Sequence, residues 1–249
     1  MKAERFRGLR NGLILIVGLL LLWQLLYFWT GDIALASPLA TLTYTVKLLA
    51  TDAFDVQIYE TLRAFSIAYA LAVVIGLLVG FWLGFDRLSC DALEPMIVSA
   101  YAVPKLTLYP ILLLAFGLGL SAKVAFGVIH GVIPIILFTL SAVHNTKPIL
   151  IKTGRVLKLS RWQMVRWILF PAAIPEIFTG LRVGFALTLI GSLLAEMFAS
   201  QRGLGYVLMN AIGLHNVELI MSVTLVIVVF AATVSVILLA IDHRLHRRV

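Results

Sequence analysis

Long apolar stretches with few or no charges recur along the chain. They are Asn11–Gly31, Ala64–Phe85, Leu106–Ala122, Val124–Val143, Val183–Ala195 and Leu219–Ile241. Only Lys123 separates the third from the fourth, and the fifth extends backward to Pro171. A helix rises 1.5 Å per residue, so about 20 apolar residues cross roughly 30 Å of hydrocarbon. The pattern predicts six membrane-spanning helices over about 12–29, 61–84, 95–118, 122–143, 171–197 and 218–241.

Finer spacings add detail. Gly76, Gly80 and Gly84 recur every fourth residue, as do Gly127/Gly131 and Gly180/Gly184. Such stripes let a second backbone approach closely, and simple helix packing explains them. Pro104 and Pro110 interrupt the third span. Proline removes an amide donor and clashes with the preceding turn, so that helix should bend, and its bent part should face protein or a wet cavity. Between the fourth and fifth spans lies the polar segment 144–170. Pro148 suits the first turn of a short helix over about 147–158. Ser160 and Gln163 form a capping-box pair, so a second short helix should begin near Arg161 and stop before Pro171.

Composition sharpens the class. The 249-residue chain is 61% hydrophobic and 13% charged, and its mean hydropathy is +1.04. Soluble domains are about 45–50% apolar and about 25% charged. The reading is an all-α polytopic membrane protein with about six transmembrane helices. The net charge of +8 would suggest nucleic acid for a soluble protein, but here its placement matters more. With the N-terminus inside, 14 Lys and Arg fall on cytoplasmic segments and 4, Lys47, Arg63, Lys123 and Arg202, on outer segments or outer helix ends, while Lys105 and Arg182 lie within spans. That bias puts both termini in the cytoplasm. The layout is a tail at 1–11, a single membrane bundle at 12–241 enclosing the inside loop 144–170, and a tail at 242–249. The single cysteine, Cys90, rules out an intramolecular disulfide and reads as packing. The first apolar run is expected to remain as a helix rather than a cleaved signal.

The segment "KTGRVLKLSRWQMVRWILFPAAIPEIFTGLRVG" at 152–184 resembles the cytoplasmic loop of binding-protein-dependent ABC importer permeases. The likeness is closest to the nitrate/sulfonate/taurine-type subgroup. "ASPLATL" at 36–42, "YETLRAFSIAYALAVVIGLLVGFWLG" at 59–84, "AVPKLTLYPILLLAFGLG" at 102–119 and "LAEMFASQRGLGYVLMNA" at 194–211 agree in order and spacing. Together the likeness covers about residues 36–245. It implies a type I importer permease fold in a bacterial inner membrane. Two permease subunits, alike or different, would form the pathway. Two cytoplasmic ATPase subunits would dock on the loops, and a periplasmic or lipid-anchored binding protein would deliver a small solute, an anion such as a sulfonate, nitrate or carboxylate. ATP would be used by the partner, with no cofactor on this chain and no nucleic acid; lipid surrounds it.

The resemblance assigns ATPase coupling to Lys152, Thr153, Gly154, Arg155, Lys158, Leu159, Ser160, Arg161, Trp162 and Gln163. Four of these depart from the family pattern. Lys152 replaces a glutamate, Thr153 and Gly154 replace two alanines, and Lys158 replaces the glycine of the bend. Lysine at positive φ costs on the order of 1 kcal/mol, which leaves the turn open to a different geometry. The extra cations call for an acidic partner cleft.

The chain carries no phosphate-binding Gly-x-x-x-x-Gly-Lys-Ser/Thr loop, no His-Glu-x-x-His and no Gly-x-Ser-x-Gly. It is not expected to be an enzyme. His130, the one histidine within a span, reads as a hydrogen-bonded packing residue. Charged groups inside spans are functional candidates by default. Lys105, Arg182 and Glu196 are such candidates, and Met197 and Tyr206 suit a constriction beside Phe198 and Met209. The packing alternative pairs Arg182 with Glu176 or a carbonyl and lets Lys105 reach the interface. The glycine-rich stretch 201–213 reads equally as an outer gate or as a helix–turn connector. An ion-coupled secondary transporter would need intramembrane acids or an inverted repeat, and neither is clear.

Overall fold

The structure is a computed structural model that describes residues 2–31, 33–85 and 87–246. Asp32, Asp86, Arg247 and Arg248, and so the end of the 242–249 tail, lie outside the described residues. So do the side chains of 2–9, Arg87 and Arg161, which include several of the inside charges counted above.

Among the described residues eleven helices follow one another: α1 Lys2–Thr30, α2 Pro38–Leu49, α3 Asp52–Phe85, α4 Arg87–Ala102, α5 Tyr109–Phe116, α6 Leu120–His144, α7 Pro148–Val156, α8 Arg161–Met164, α9 Phe170–Ala199, α10 Leu204–Gly213 and α11 Val217–His246. A 3₁₀ turn at Lys105–Leu108 precedes α5, and a π-helical turn at Val165–Leu169 joins α8 to α9. Among the described residues there is no strand. Among the described residues, five helical stretches are long and apolar enough to cross a membrane: Arg10–Thr30, Asp52–Phe85, Leu120–His144, Trp162–Phe198 and Val217–Asp242. The pair Leu88–Ala102 and Lys105–Phe116 makes a sixth if it counts as one broken span.

That broken pair sharpens the bend expected at Pro104. The third element is two helices turned 85° from each other rather than one kinked rod over 95–118. Pro104 sits at the start of the 3₁₀ turn with ψ 95°, outside the helical region, and Pro110 occupies the first turn of α5, where a missing amide is tolerated. The short helices α2 and α10 were not in the span count. Ser37 caps α2 by accepting from the Ala40 amide at 3.2 Å, with Pro38 in the first turn.

α6 is the centre of the bundle, packed between α3 and α9. The glycine stripes explain how closely. A Cβ built on Gly76 would lie 2.6 Å from the Ile135 side chain, one on Gly80 2.6 Å from Thr139, and one on Gly84 2.8 Å from Val143. Gly127 meets Ser192 and Ala68, and Gly180 and Gly184 meet Phe138 and Ile135. Only a missing side chain lets these backbones meet. Phe65, Tyr69, Phe185 and Phe230 fill the wedge between α3, α9 and α11, and the Tyr69 hydroxyl donates to the Leu181 carbonyl at 3.0 Å. Cys90 is wholly buried in a cluster with Leu83, Ile136 and Leu140. His130 donates from Nδ1 to the Phe126 carbonyl at 2.9 Å and packs edge-on to Phe126, which suits a packing role. α1 lies apart, tied to the bundle where the Trp23 indole donates to the Ala36 carbonyl at 3.0 Å.

Candidate functional site

Segment 144–170 lies at one end of the bundle. Pro148 opens α7, as its fixed φ favours. The capping box forms: the Ser160 amide donates to the Gln163 side-chain oxygen at 2.8 Å, and the Gln163 amide to Ser160 Oγ at 3.3 Å. Lys158 has φ 53°, so the bend keeps its left-handed residue although a lysine occupies it. Two bonds close this turn. The Lys158 amide donates to the Arg155 carbonyl at 3.0 Å and the Leu159 amide to the Gly154 carbonyl at 3.1 Å. This is a Schellman ending, and its satisfied carbonyls offset the cost of the lysine's φ. Gly154 is buried, and a Cβ there would stand 2.5 Å from Met164 Cε, so α7 leans on the second arm of the loop through a missing side chain.

The second arm corrects one expectation. The helix beginning at Arg161 does not stop before Pro171 but runs on into α9. Proline has no amide to donate, so an α-helical ladder would lose a bond there. The ladder slips instead by one residue: the Phe170 amide donates to Val165 O, five residues back. One helical path therefore links Arg161 to Ala199. Around it the loop presents cations and apolar groups together. Lys152, Thr153, Arg155, Lys158 and Gln163 are exposed, Leu159 is half-buried, and Trp162, Val156 and Leu157 are 70%, 80% and 64% exposed. The stretch 145–170 contains no Asp or Glu.

At the break between α4 and the 3₁₀ turn, Lys105 folds back. Its Nζ donates to the Tyr101 carbonyl at 3.0 Å and lies 4.6 Å from the Tyr101 ring centre. Tyr101 and Arg182 line one cavity of about 450 Å³ between α4, α9 and α11. Arg182 is paired not with Glu176 but with Asp242 of α11, at 3.4 Å. Glu176 instead accepts from the Ser141 hydroxyl at 2.8 Å.

The opposite end holds a polar knot. Glu196 is fully buried. Its Oε2 accepts from the Thr61 hydroxyl at 2.8 Å and the Gly205 amide at 3.0 Å, and its Oε1 faces Lys123 Nζ at 3.6 Å. Lys123 donates to the Arg202 carbonyl at 2.7 Å, and Gln57 and Thr61 accept from the Gly203 and Leu204 amides, each at 2.7 Å. Gly203 has φ 117°, and a Cβ there would collide with the Glu196 carboxylate. So 200–205 is a bound connector, and α10 after it buries Leu204, Gly205 and Ala211. Glu196 faces this knot, while Met197 and Tyr206 are half-buried and Phe198 and Met209 exposed beside it. Lys123, Thr61 and Gln57 were not candidates. The one signal for Lys123 is its isolation between two apolar runs.

Residues 72–249 match the family described as the binding-protein-dependent transport system inner membrane component. The nitrate import permease protein NrtB of Synechocystis sp. is 30% identical over 224 residues, 86% of this chain and 80% of that protein. The putative aliphatic sulfonates transport permease protein SsuC of Bacillus subtilis is 26% identical over 207 residues, 82% and 75% of the two. The structure of the MetNI methionine ABC transporter in inward-facing form overlays with a TM-score of 0.67 at 19% identity, covering 76% of this chain and 94% of that one. The chain belongs to the inner-membrane components of binding-protein-dependent transport systems. Its fold is that of a type I ABC importer permease, and its role is transport through a helical membrane bundle.

Proposed function

We propose that this chain is half of the translocation pathway of an ATP-driven importer for a small anion, nitrate or an organic sulfonate or carboxylate. Both termini and segment 144–170 face the cytoplasm, following the Lys and Arg bias. Two ATPase subunits grip the loops of two permeases, alike or different, and hydrolyse ATP there. A soluble binding protein delivers cargo at the end that carries 200–205. The observation that carries the reading is the loop itself: a cationic, aromatic surface without acids, built on a helix that runs unbroken into the bundle as α9. Such a surface fits an acidic, partly apolar cleft. The anion preference is drawn from the cargo named for NrtB and SsuC, with Tyr101 and Arg182, itself paired with Asp242, lining one cavity.

The test is reconstitution with a candidate ABC ATPase from the same organism. Lys152→Glu should abolish co-purification and cargo-stimulated ATP hydrolysis, and reversing the facing acid on the partner should restore both. A wild-type chain that holds no ATP-hydrolysing companion would overturn the proposal.

A further inference from the structure

At the loop end of the bundle, three donor atoms of different chemistry converge. Cys90 and Asp91 come from the first turn of α4, and His144 is the last residue of α6. One ligand atom of each lies within 4.8 Å of the others. Glu94 Oε2, one turn further along α4, lies 3.8 Å from Cys90 Sγ but outside that set. Thiolate, imidazole and carboxylate together form a borderline-soft set that suits zinc, which has no geometric preference and binds sulfur at about 2.3 Å and nitrogen or oxygen at about 2.0–2.2 Å. Tetrahedral bonds of those lengths put neighbouring donors roughly 3.3–3.8 Å apart. Rotamer shifts of about 1 Å would close the set. Cys90 is buried, His144 half-buried and Asp91 exposed, so the three donors run from the surface inward to the sulfur.

We propose that Cys90, Asp91 and His144 form a three-ligand zinc site, its fourth position open to water, that staples α4 to the end of α6. Asn145 follows His144 directly, so the staple anchors the root of segment 144–170. Neither the family assignment nor the importer reading requires it. Zinc occupancy fixes where the loop leaves the bundle, and its removal frees that root.

The probe is cobalt(II), added to the reduced, full-length chain in detergent with no histidine tag. Cys90 is the sole cysteine, so any thiolate-to-cobalt absorption in the near ultraviolet reports this site alone. The expected result is a saturable band at one cobalt per chain, with the intense visible bands of four-coordinate cobalt, displaced by one equivalent of zinc. His144→Gln and Asp91→Asn each weaken binding at least about tenfold, while Cys90→Ser removes the ultraviolet band. The first two residues are not fully buried, and metal-free melting curves check that those variants fold. Absence of a saturable band in the native chain overturns the site. So does a band that keeps its full affinity in both His144→Gln and Asp91→Asn, since a lone thiol would then be the ligand. A chain that binds cobalt yet shows no ATPase partner leaves the zinc site standing and sinks the importer reading instead.

Discussion

Glu196 is where a single residue has most at stake. Its carboxylate is wholly buried, and one lysine, one hydroxyl and one backbone amide compensate it. Removing one partner of a buried pair costs about 3–5 kcal/mol, because the other charge is left uncompensated. Lys123→Met should therefore lower the melting temperature of the detergent-solubilised chain sharply. Glu196→Gln keeps an acceptor for Thr61 and Gly205 and should cost less. The double variant should lose less than the sum of the two, which a double-mutant cycle in thermal melting measures. Strict additivity would mean the two side chains do not act as a pair. Lys158 shows a milder tension. It holds φ 53° at a helix ending that a glycine would fill without strain, and its two closing backbone bonds keep the turn.

At the scale of elements, the glycine stripes decide the core. α3 and α9 both press on α6 through positions where a Cβ has no room. On Gly80 a Cβ would meet Thr139 at 2.6 Å and the Ile136 carbonyl at 2.9 Å, and a backbone carbonyl cannot turn aside. Gly80→Leu should force α3 off α6 and yield a chain that melts at lower temperature or aggregates on extraction. Gly18→Leu on α1, where a Cβ meets nothing within 4 Å, is the matched control and should be silent. Size-exclusion profiles of the two variants separate the outcomes; equal profiles would refute the packing role. These stripes, the six apolar runs and the capping box were legible in the sequence because each rests on local spacing or on a side chain meeting its own backbone. The 85° break after Ala102 was legible only as a bend, since prolines mark where a helix fails and not how far it turns. The run through Pro171 was hidden because a one-residue slip of the ladder leaves no pattern of its own. Arg182 finding Asp242, and Lys123 finding Glu196, are contacts between residues far apart in the chain, which a single sequence does not pair.

For the whole molecule the decisive feature is the helical path from Arg161 to Ala199, roughly 55–60 Å long at 1.5 Å per residue. It carries the loop at one end and the Glu196 knot at the other. If a partner moves the loop, a stiff path conveys the displacement across the bundle, and a soft one absorbs it. The weakest stretch is the π turn at Val165–Leu169, whose hydrogen bonds span five residues and whose Trp167 is 66% exposed. Arg166→Gly/Trp167→Gly softens it, since each glycine in a helix costs about 1 kcal/mol relative to alanine. Arg166→Ala/Trp167→Ala removes the same side chains and keeps a strong helix former. In the reconstituted importer both double variants should still bind the ATPase and hydrolyse ATP. The alanine pair should keep uptake per bound ATPase within about twofold of the unsubstituted importer, whereas the glycine pair should hydrolyse ATP with uptake reduced at least about tenfold. Equal uptake in the two would mean that stiffness at this turn is irrelevant, and that force reaches the pathway through α6 and α7 instead.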